Sequence, residues 1–280
     1  MNMKRRRMRW MVASALLIVS LGAGASYYFF GPPLLEKGFH YAIVAGDLPS
    51  VSALAFTPDG DLYATLERTR GQGSLVRIHD GDYRTVVDGL NKPDGLLMID
   101  DTLYITSETG PDAVLAYRNG KLADIQGADS AEGIAEDHGR LLVIEDKKGD
   151  GRLLRIDPSQ HKVDVLARNL TEAEGVCQGP DGDIYFVEKN EHALWRLAGG
   201  QRTQVVAGLT HPAYLNCIDD GSVLITEDRT NFGRLLRYRD GRVDVIARNL
   251  RSPQTVLLGD DGAYYLAEQR RNRILKIDGF

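Results

Sequence analysis

The sequence predicts an all-β fold, a six-bladed β-propeller, from two observations. A unit of about 40 residues occurs six times, and turns such as TPDGD, GPDGD and GDDGA join short apolar strands inside the units. Radial repetition of four-stranded sheets accounts for both observations, with one unit for each blade. The units begin after related segments whose last residues are 38 to 42 positions apart: Leu48, Leu90, Ala128, Leu170, Leu209 and Leu250.

Three strands can be assigned within each unit, and the fourth is supplied by the next related segment. The second strands are LYAT, LYIT, LLVI, IYFV, VLIT and YYLA, and the third strands are SLVRI, AVLAY, RLLRI, ALWRL, RLLRY and RILKI. The last unit ends near Ile277 without a fourth strand, whereas the segment AIVAGDL has no blade before it. We therefore predict that this N-terminal strand closes the last blade and removes its exposed edge.

The N-terminal 30 residues differ from the repeats. Basic residues in 1–9 precede an apolar run over 10–30, long enough for a membrane-spanning helix whose basic flank stays cytoplasmic. The prediction is a cytoplasmic tail (1–9), a transmembrane signal anchor (10–30), a tether (31–39) and a periplasmic propeller (40–280), in a single-pass inner-membrane protein. The alternative is a signal peptide cleaved near Ala23-Gly24-Ala25, which would make the protein secreted.

Composition and motifs exclude several classes of function. The net charge of -5 gives no basic excess for nucleic acid. Two cysteines, Cys177 and Cys217, are too few for a disulfide scaffold or a thiolate zinc site. We expect them to be small buried residues, with a disulfide as the alternative. Nucleophile elbows, zinc-protease motifs, phosphate loops and dinucleotide fingerprints are absent from the sequence.

The candidate site lies where the innermost strands begin. Because the first strand of a blade runs antiparallel to the second, the start of one and the end of the other share a face. The predicted residues at the first-strand starts are Ser52, Asp94, Glu132, Glu174, Tyr214 and Gln254. Three successive acids near the axis need compensation, so Asp94, Glu132 and Glu174 predict a divalent metal, with Ca²⁺ the best match. The alternative is that they cap backbone N–H groups or share protons.

Other polar residues near this face have more ordinary interpretations. An acid follows every second strand, which predicts a structural role for these residues: Glu67, Glu108, Glu145, Glu188, Glu227 and Glu268. His211 precedes the fifth inner strand and is a candidate catalytic base, or an ordinary loop histidine. The predicted substrate contacts are Ser52, Tyr214, Asn216 and Gln254, with Asn216 also a possible neutral oxygen ligand.

The stretches KPDGLLMIDDTLYIT, AEGIAEDHGRLLVIED, AEGVCQGPDGDIYFVEK and NRILKID resemble a known superfamily of six-bladed propellers. It comprises the gluconolactonase/regucalcin, paraoxonase and strictosidine synthase-like proteins, and the resemblance covers residues 40–280. It implies a divalent ion at the channel mouth, held at first-strand starts. Asp94 matches a ligand position of that superfamily, and Glu132 and Glu174 stand where asparagine is common. Ser52 stands where lactonases usually have a glutamate ligand. Gln254 stands where strictosidine synthase-type enzymes have the glutamate on which their reaction relies.

These observations together lead to three functional hypotheses. The first is an exported, membrane-anchored hydrolase of lactones or esters, in which the metal polarises a carbonyl and His211 or an acid moves the proton. The second is a non-catalytic propeller that binds a small ligand or a periplasmic protein partner. The third is a strictosidine synthase-like or lyase-type enzyme.

Overall fold

The structure is a computed structural model that describes residues 31–110, 113–147 and 149–279. The chain divides into two units, 1–34 and 35–280, and the second contains the repeats. The predicted transmembrane segment, 10–30, lies outside the described residues. Within the described ranges, no helix is long and apolar enough to cross a membrane.

The repeats fold as six antiparallel sheets, which confirms the predicted all-β, six-bladed propeller. Each sheet is one blade, written here from the axis outward. The first three blades are β3 (Val51–Phe56), β4 (Leu62–Leu66), β5 (Gly73–His79) and β6 (Asp82–Leu90); β7 (Pro93–Ile99), β8 (Thr102–Ser107), β9 (Val114–Arg118) and β10 (Lys121–Ile125); and β11 (Ala131–Asp137), β12 (Arg140–Glu145), β13 (Gly151–Asp157) and β14 (Lys162–Leu170).

The other three blades follow the same order. They are β15 (Ala173–Gln178), β16 (Ile184–Glu188), β17 (Ala193–Ala198) and β18 (Gln201–Ala207); β19 (Pro212–Cys217), β20 (Val223–Glu227), β21 (Gly233–Arg239) and β22 (Arg242–Leu250); and β23 (Pro253–Leu258), β24 (Tyr264–Glu268), β25 (Arg273–Asp278) and β2 (His40–Ala45). A short 3-10 helix, Gln269–Arg271, follows β24. The two-residue strand β1 (Leu34–Leu35) precedes Glu36, whose backbone N–H donates to the Ile246 carbonyl at 2.9 Å.

The outer strand of the sixth blade comes from the start of the described chain. β2 pairs antiparallel with β25, from His40 opposite Asp278 to Ala45 opposite Ile274. One sheet therefore contains strands from both ends of the propeller sequence, and the edge that β25 would otherwise expose is paired.

The hydrophobic core lies between neighbouring blades. One cluster joins Leu142, Ile144 and Leu153 of the third blade to Val176 and Phe186 of the fourth. Phe186 has no exposed surface. Five further clusters of buried residues each join a different pair of neighbours. A single repeat cannot bury the apolar face of its own sheet, so each blade packs that face against a neighbouring blade.

The innermost strands approach one another closely near the axis. Each of them shifts register against the second strand just after its first residue, for example between Ala131 and Ile134. A Cβ on Gly133 would clash with the Glu174 carbonyl oxygen, and one on Gly175 with the Ala213 carbonyl oxygen. Glycine at these two places lets adjacent backbones meet.

Threonine hydroxyls connect successive blades at the same level. Thr65 Oγ1 accepts a hydrogen bond from the Ala53 N–H at 2.9 Å and donates to the Asp94 carbonyl at 3.3 Å. Thr106 repeats this pattern, accepting from Gly95 and donating to the Glu132 carbonyl. These bonds satisfy backbone groups where the register shift interrupts the ladder.

The two cysteines form a disulfide, which corrects the expectation of separate buried thiols. Cys177 in β15 and Cys217 in β19 have an S–S distance of 2.06 Å and a Cα–Cα distance of 5.6 Å. The physical reason is the close approach of neighbouring inner strands, which brings the two Cα atoms within bonding range. Their separation of 40 residues is about one repeat, a signal that the sequence did contain.

Candidate functional site

A small polar cavity lies on the axis, on the face where the inner strands begin and the second strands end. Its volume is about 170 Å³. We call it the acidic cavity, because its lining includes six carboxylates but two ammonium groups. Its lining residues are Glu67, Lys92, Asp94, Glu108, Glu132, Glu174, Lys189, Tyr214, Asp228, Gln254 and Gln269.

The sequence-predicted metal ligands all line this cavity. Asp94, Glu132 and Glu174 are the second residues of three successive inner strands, β7, β11 and β15. Gln254 has the same place in β23 and also lines the cavity. Ser52 has that place in β3 and donates to Asp94 Oδ1 at 2.8 Å. The structure thus brings together five of the residues that the sequence placed at this mouth.

Tyr214 lines the cavity from a position in its inner strand one residue later than predicted. Pro212 is the first residue of β19, as Pro93 is of β7, so Ala213 has the place of Asp94. Tyr214 therefore stands one residue later, at the level of the inner-strand glycines, which corrects its predicted position. The aligned prolines were the sequence signal for this register. Burial, followed by the nearby carboxylates, raises the pKa of Tyr214 well above its usual value, so the phenol remains a hydrogen-bond donor.

The two carboxylate oxygens of Asp94 differ in their hydrogen bonding. Only 2% of the residue is exposed, and its Oδ1 accepts hydrogen bonds from Ser52 Oγ and Tyr214 OH. Its Oδ2 is buried without a hydrogen-bond partner in the described part of the chain. A buried carboxylate oxygen without a donor is costly, so it marks a place for a cation, a water molecule or the protonated carboxyl of Glu132, whose pKa is raised chiefly by burial and in part by a hydrogen bond with Asp94.

Four of the second-strand glutamates have the predicted structural role. Glu145, Glu188, Glu227 and Glu268 end their strands and are at most 1% exposed. Each accepts a backbone N–H from the residue two before the inner strand; for Glu188 this is Thr171, at 2.7 Å. Each also pairs with an arginine: Arg152, Arg202, Arg234 and Arg273.

The first two blades depart from this pattern of strand-end contacts. The residue opposite the first inner-strand position is Leu66 in one blade and Ser107 in the other. Glu67 and Glu108 follow one residue later and line the acidic cavity. The signal was in the spacing, because one residue separates LYAT or LYIT from the glutamate that follows, whereas in the other four blades the glutamate follows the apolar quartet directly.

Glu67, Asp94 and Glu108 form the group best placed to hold a metal ion. One carboxylate oxygen from each lies within 4.8 Å of the others. Lys92 Nζ contacts Glu108 and lies 3.8 Å from Glu67 Oε1, while Gln269 Nε2 donates to Glu67 Oε2 at 2.7 Å. Burial and the Asp94 charge raise the pKa of Glu67 to about 7, although Lys92 and Gln269 oppose the rise.

Glu132 and Glu174 occupy the other side of the cavity. Glu174 Oε1 lies 2.5 Å from Lys189 Nζ. Burial raises the pKa of Glu174 to about 7 despite this pairing. Burial and the charges of Asp94 and Glu174 raise the pKa of Glu132 well above its usual range. Three acids of the cavity thus hold protons more tightly than usual, as expected where positive charge is scarce.

Two predicted site residues do not reach the acidic cavity. His211 is exposed in the turn before β19, and its ring packs edge-on against His192 at a centroid distance of 6.1 Å. Asn216 lines a second cavity of about 500 Å³, here called the larger cavity. Tyr214 lines both cavities.

The comparisons with known proteins show the fold. No protein-family model matches the chain, and no curated protein matches its sequence. A gluconolactonase of Xanthomonas campestris is 10% identical, with 89% of this chain and 95% of that chain covered and a TM-score of 0.76. The chain shares the propeller fold of this enzyme. The predicted resemblance to gluconolactonase-type propellers is thereby confirmed at the level of the fold.

Structures with other described functions share this fold. Virginiamycin B lyase of Staphylococcus aureus is 13% identical, with 86% of this chain and 99% of that chain covered and a TM-score of 0.63. An auxiliary nutrient binding protein of Bacteroides thetaiotaomicron is 14% identical, with 87% and 77% covered and a TM-score of 0.70. Likeness at these identities does not choose among hydrolysis, elimination and binding.

Proposed function

We propose that this propeller binds a divalent cation in the acidic cavity and hydrolyses a lactone or a related ester there. The observation that carries the proposal is the cluster of Glu67, Asp94 and Glu108, into which Asp94 presents a bare, buried oxygen. Ca²⁺ suits this cluster because it accepts carboxylate oxygens in flexible geometry.

The excess of negative charge in the acidic cavity favours the binding of a cation. Six carboxylates face two lysines, and the pKa values of Glu67, Glu132 and Glu174 are raised. A divalent ion would supply the missing positive charge and replace protons on these acids. When bound, such an ion supplies Lewis acidity toward a carbonyl oxygen.

Residues of the acidic cavity can accept the proton of the attacking water and donate a hydrogen bond. The pKa of Glu174 is about 7 without metal, and a bound cation would lower it, so its carboxylate would be ionised and able to accept a proton from water near neutral pH. Lys189, 2.5 Å away, orients this carboxylate and stabilises its charge. Tyr214 remains protonated and can donate a hydrogen bond. His211, the candidate base from the sequence, does not line the acidic cavity, so Glu174 would take the proton instead.

The size of the cavity limits the substrate. At about 170 Å³ it is smaller than the 300–1,000 Å³ typical of organic ligand sites. We therefore propose that only the reacting carbonyl group enters, while the rest of a small lactone or ester stays at the mouth.

The test is hydrolysis by the purified full-length chain in detergent, with a panel of small lactones and aryl esters, with Ca²⁺ and with chelator. We expect Ca²⁺-dependent activity, loss of at least about a hundredfold in Glu174→Gln, and no loss in His211→Ala as the matched control. Activity that survives chelation and Glu174→Gln would contradict the proposal.

A second candidate function is binding without catalysis. It is favoured by the lysines, since Lys92 and Lys189 already pair with three of the carboxylates. The nutrient binding neighbour gives this role a precedent on the same fold. Ca²⁺ binding together with inactivity across the whole panel would favour this second function.

We also propose that the propeller is exported and held at the membrane by residues 10–30. The Cys177–Cys217 disulfide supports an oxidising compartment such as the periplasm. Resistance of the bacterial membrane-bound chain to carbonate extraction, and protease access from the periplasmic side, are the expected results. A soluble chain that lacks its first residues would instead support signal cleavage.

A further inference from the structure

The larger cavity has no role in the proposed hydrolysis, yet it has the size of a ligand site. Its volume of about 500 Å³ falls in the range of pockets that hold small organic molecules. It is lined by the inner strands of five blades, from the level of Gly95 to later residues such as Gln178 and Leu257. Because these strands run away from the acidic cavity, the larger cavity lies at the other end of the channel.

The wall of this cavity combines an apolar surface with a few polar groups. Leu97, Val176 and Leu257 supply the apolar part, and Asn216 and Thr255 supply neutral polar side chains. Tyr214 closes the end toward the acidic cavity. A lining of this kind suits a molecule with a compact apolar body and one polar end.

The charged groups of the wall favour a positive end. Glu136 lines the cavity, accepts a hydrogen bond from the Gly139 N–H at 3.3 Å, and has no salt bridge with the basic residues that the structure describes. His138 also lines the cavity, but its Nδ1 lies 2.9 Å from Asp137 Oδ1. Glu136 is therefore the carboxylate available to a ligand there.

We propose that the larger cavity is a second binding site, which takes a small organic cation with an apolar body. The ammonium group would lie near Glu136, and the apolar body would pack against Leu97, Val176 and the ring of Tyr214. This site shares only Tyr214 with the acidic cavity. Its existence depends neither on a metal nor on hydrolysis.

The test uses three probes of one shape: phenethylamine, which is cationic, 2-phenylethanol, which is neutral, and phenylacetate, which is anionic. Calorimetric titration into the full-length chain in detergent, corrected for micelles alone, should show the amine binding best and phenylacetate not binding. We expect Glu136→Gln to weaken the amine by about fivefold and bring it level with the alcohol. Asn216→Trp should abolish binding by filling the cavity.

The acidic cavity is the competing site for a cation, and two controls separate the two. Binding of the amine in the larger cavity should survive saturating Ca²⁺ and Asp94→Asn. Loss of binding in Asp94→Asn or with Ca²⁺, but not in Glu136→Gln, would assign the amine to the acidic cavity and overturn the proposal. So would the absence of amine binding to the wild-type chain. Glu136 is exposed, so its variant keeps the test valid if Asn216→Trp does not fold.

Discussion

Glu174→Gln should make the metal-free protein more stable at alkaline pH. In the folded chain the pKa of Glu174 is raised from the ordinary 4.5 to about 7, chiefly by burial. Between these two values the folded state holds a proton that the unfolded state has released. Stability therefore falls as pH rises through this window, the reverse of the usual behaviour of a salt-bridged carboxylate.

The magnitude follows from the two pKa values. A difference from 4.5 to about 7 corresponds to about 3 kcal/mol at 1.36 kcal/mol per pH unit, as an upper value. Glutamine imitates the protonated acid. Between about pH 5 and about pH 8, the free energy of unfolding of wild type should therefore fall by up to about 3 kcal/mol more than that of the variant. Near pH 5 the two proteins should have similar stability.

The assay is urea unfolding in the presence of a chelator at both pH values, with Glu191→Gln as the control. Glu191 is exposed on the same blade and does not line the acidic cavity. Its variant should stay within about 0.5 kcal/mol of wild type at each pH. Equal pH dependence in wild type and Glu174→Gln would refute the reasoning that burial of this carboxylate opposes its ionisation.

Three further predictions concern the scaffold. Phe186→Ala should cost about 3–5 kcal/mol in urea unfolding, because the ring is fully buried between two blades. Replacing Cys177 and Cys217 together by serine should cost up to about 4 kcal/mol by chemical unfolding, since the disulfide closes a loop of 40 residues. Glu227→Gln should cost about 3 kcal/mol, because the buried carboxylate holds Arg234 and a backbone N–H.

Each of these three predictions has a control measurement or an outcome that would contradict it. Leu258→Ala removes a side chain that is 38% exposed and should cost much less than Phe186→Ala. Under reducing conditions wild type should approach the stability of the double serine variant, and a difference that persists would contradict the entropic account. A Glu227→Gln variant as stable as Glu191→Gln would mean that the strand-end glutamates do not stabilise the blades.

Most of the fold could be predicted because the repeat carries it. The strand motifs, turns and period define six similar blades, and each must bury a face against its neighbours. The exact register within a blade could not be obtained from the apolar quartets alone. A shift of one residue places Glu67 and Glu108 at the acidic cavity, and it moves Tyr214 from the mouth into the channel.

The site could be predicted only in part, for the same reason. Asp94, Glu132 and Glu174 follow from their place at the strand starts. Lys92 and Lys189 were not predicted, although one precedes Asp94 by two residues and the other follows Glu188 directly. Their importance depends on side-chain reach across the axis, which a linear pattern does not contain.

The central claim is that the acidic cavity binds a divalent cation through Asp94, and calorimetric titration of Ca²⁺ into the chelator-treated full-length chain tests it most directly. We predict one Ca²⁺ bound per chain by wild type, a rise in unfolding free energy of about 2.7 kcal/mol at a hundredfold excess over Kd, and loss of both in Asp94→Asn. Equal Ca²⁺ binding by wild type and Asp94→Asn, or no binding by wild type, would contradict the claim.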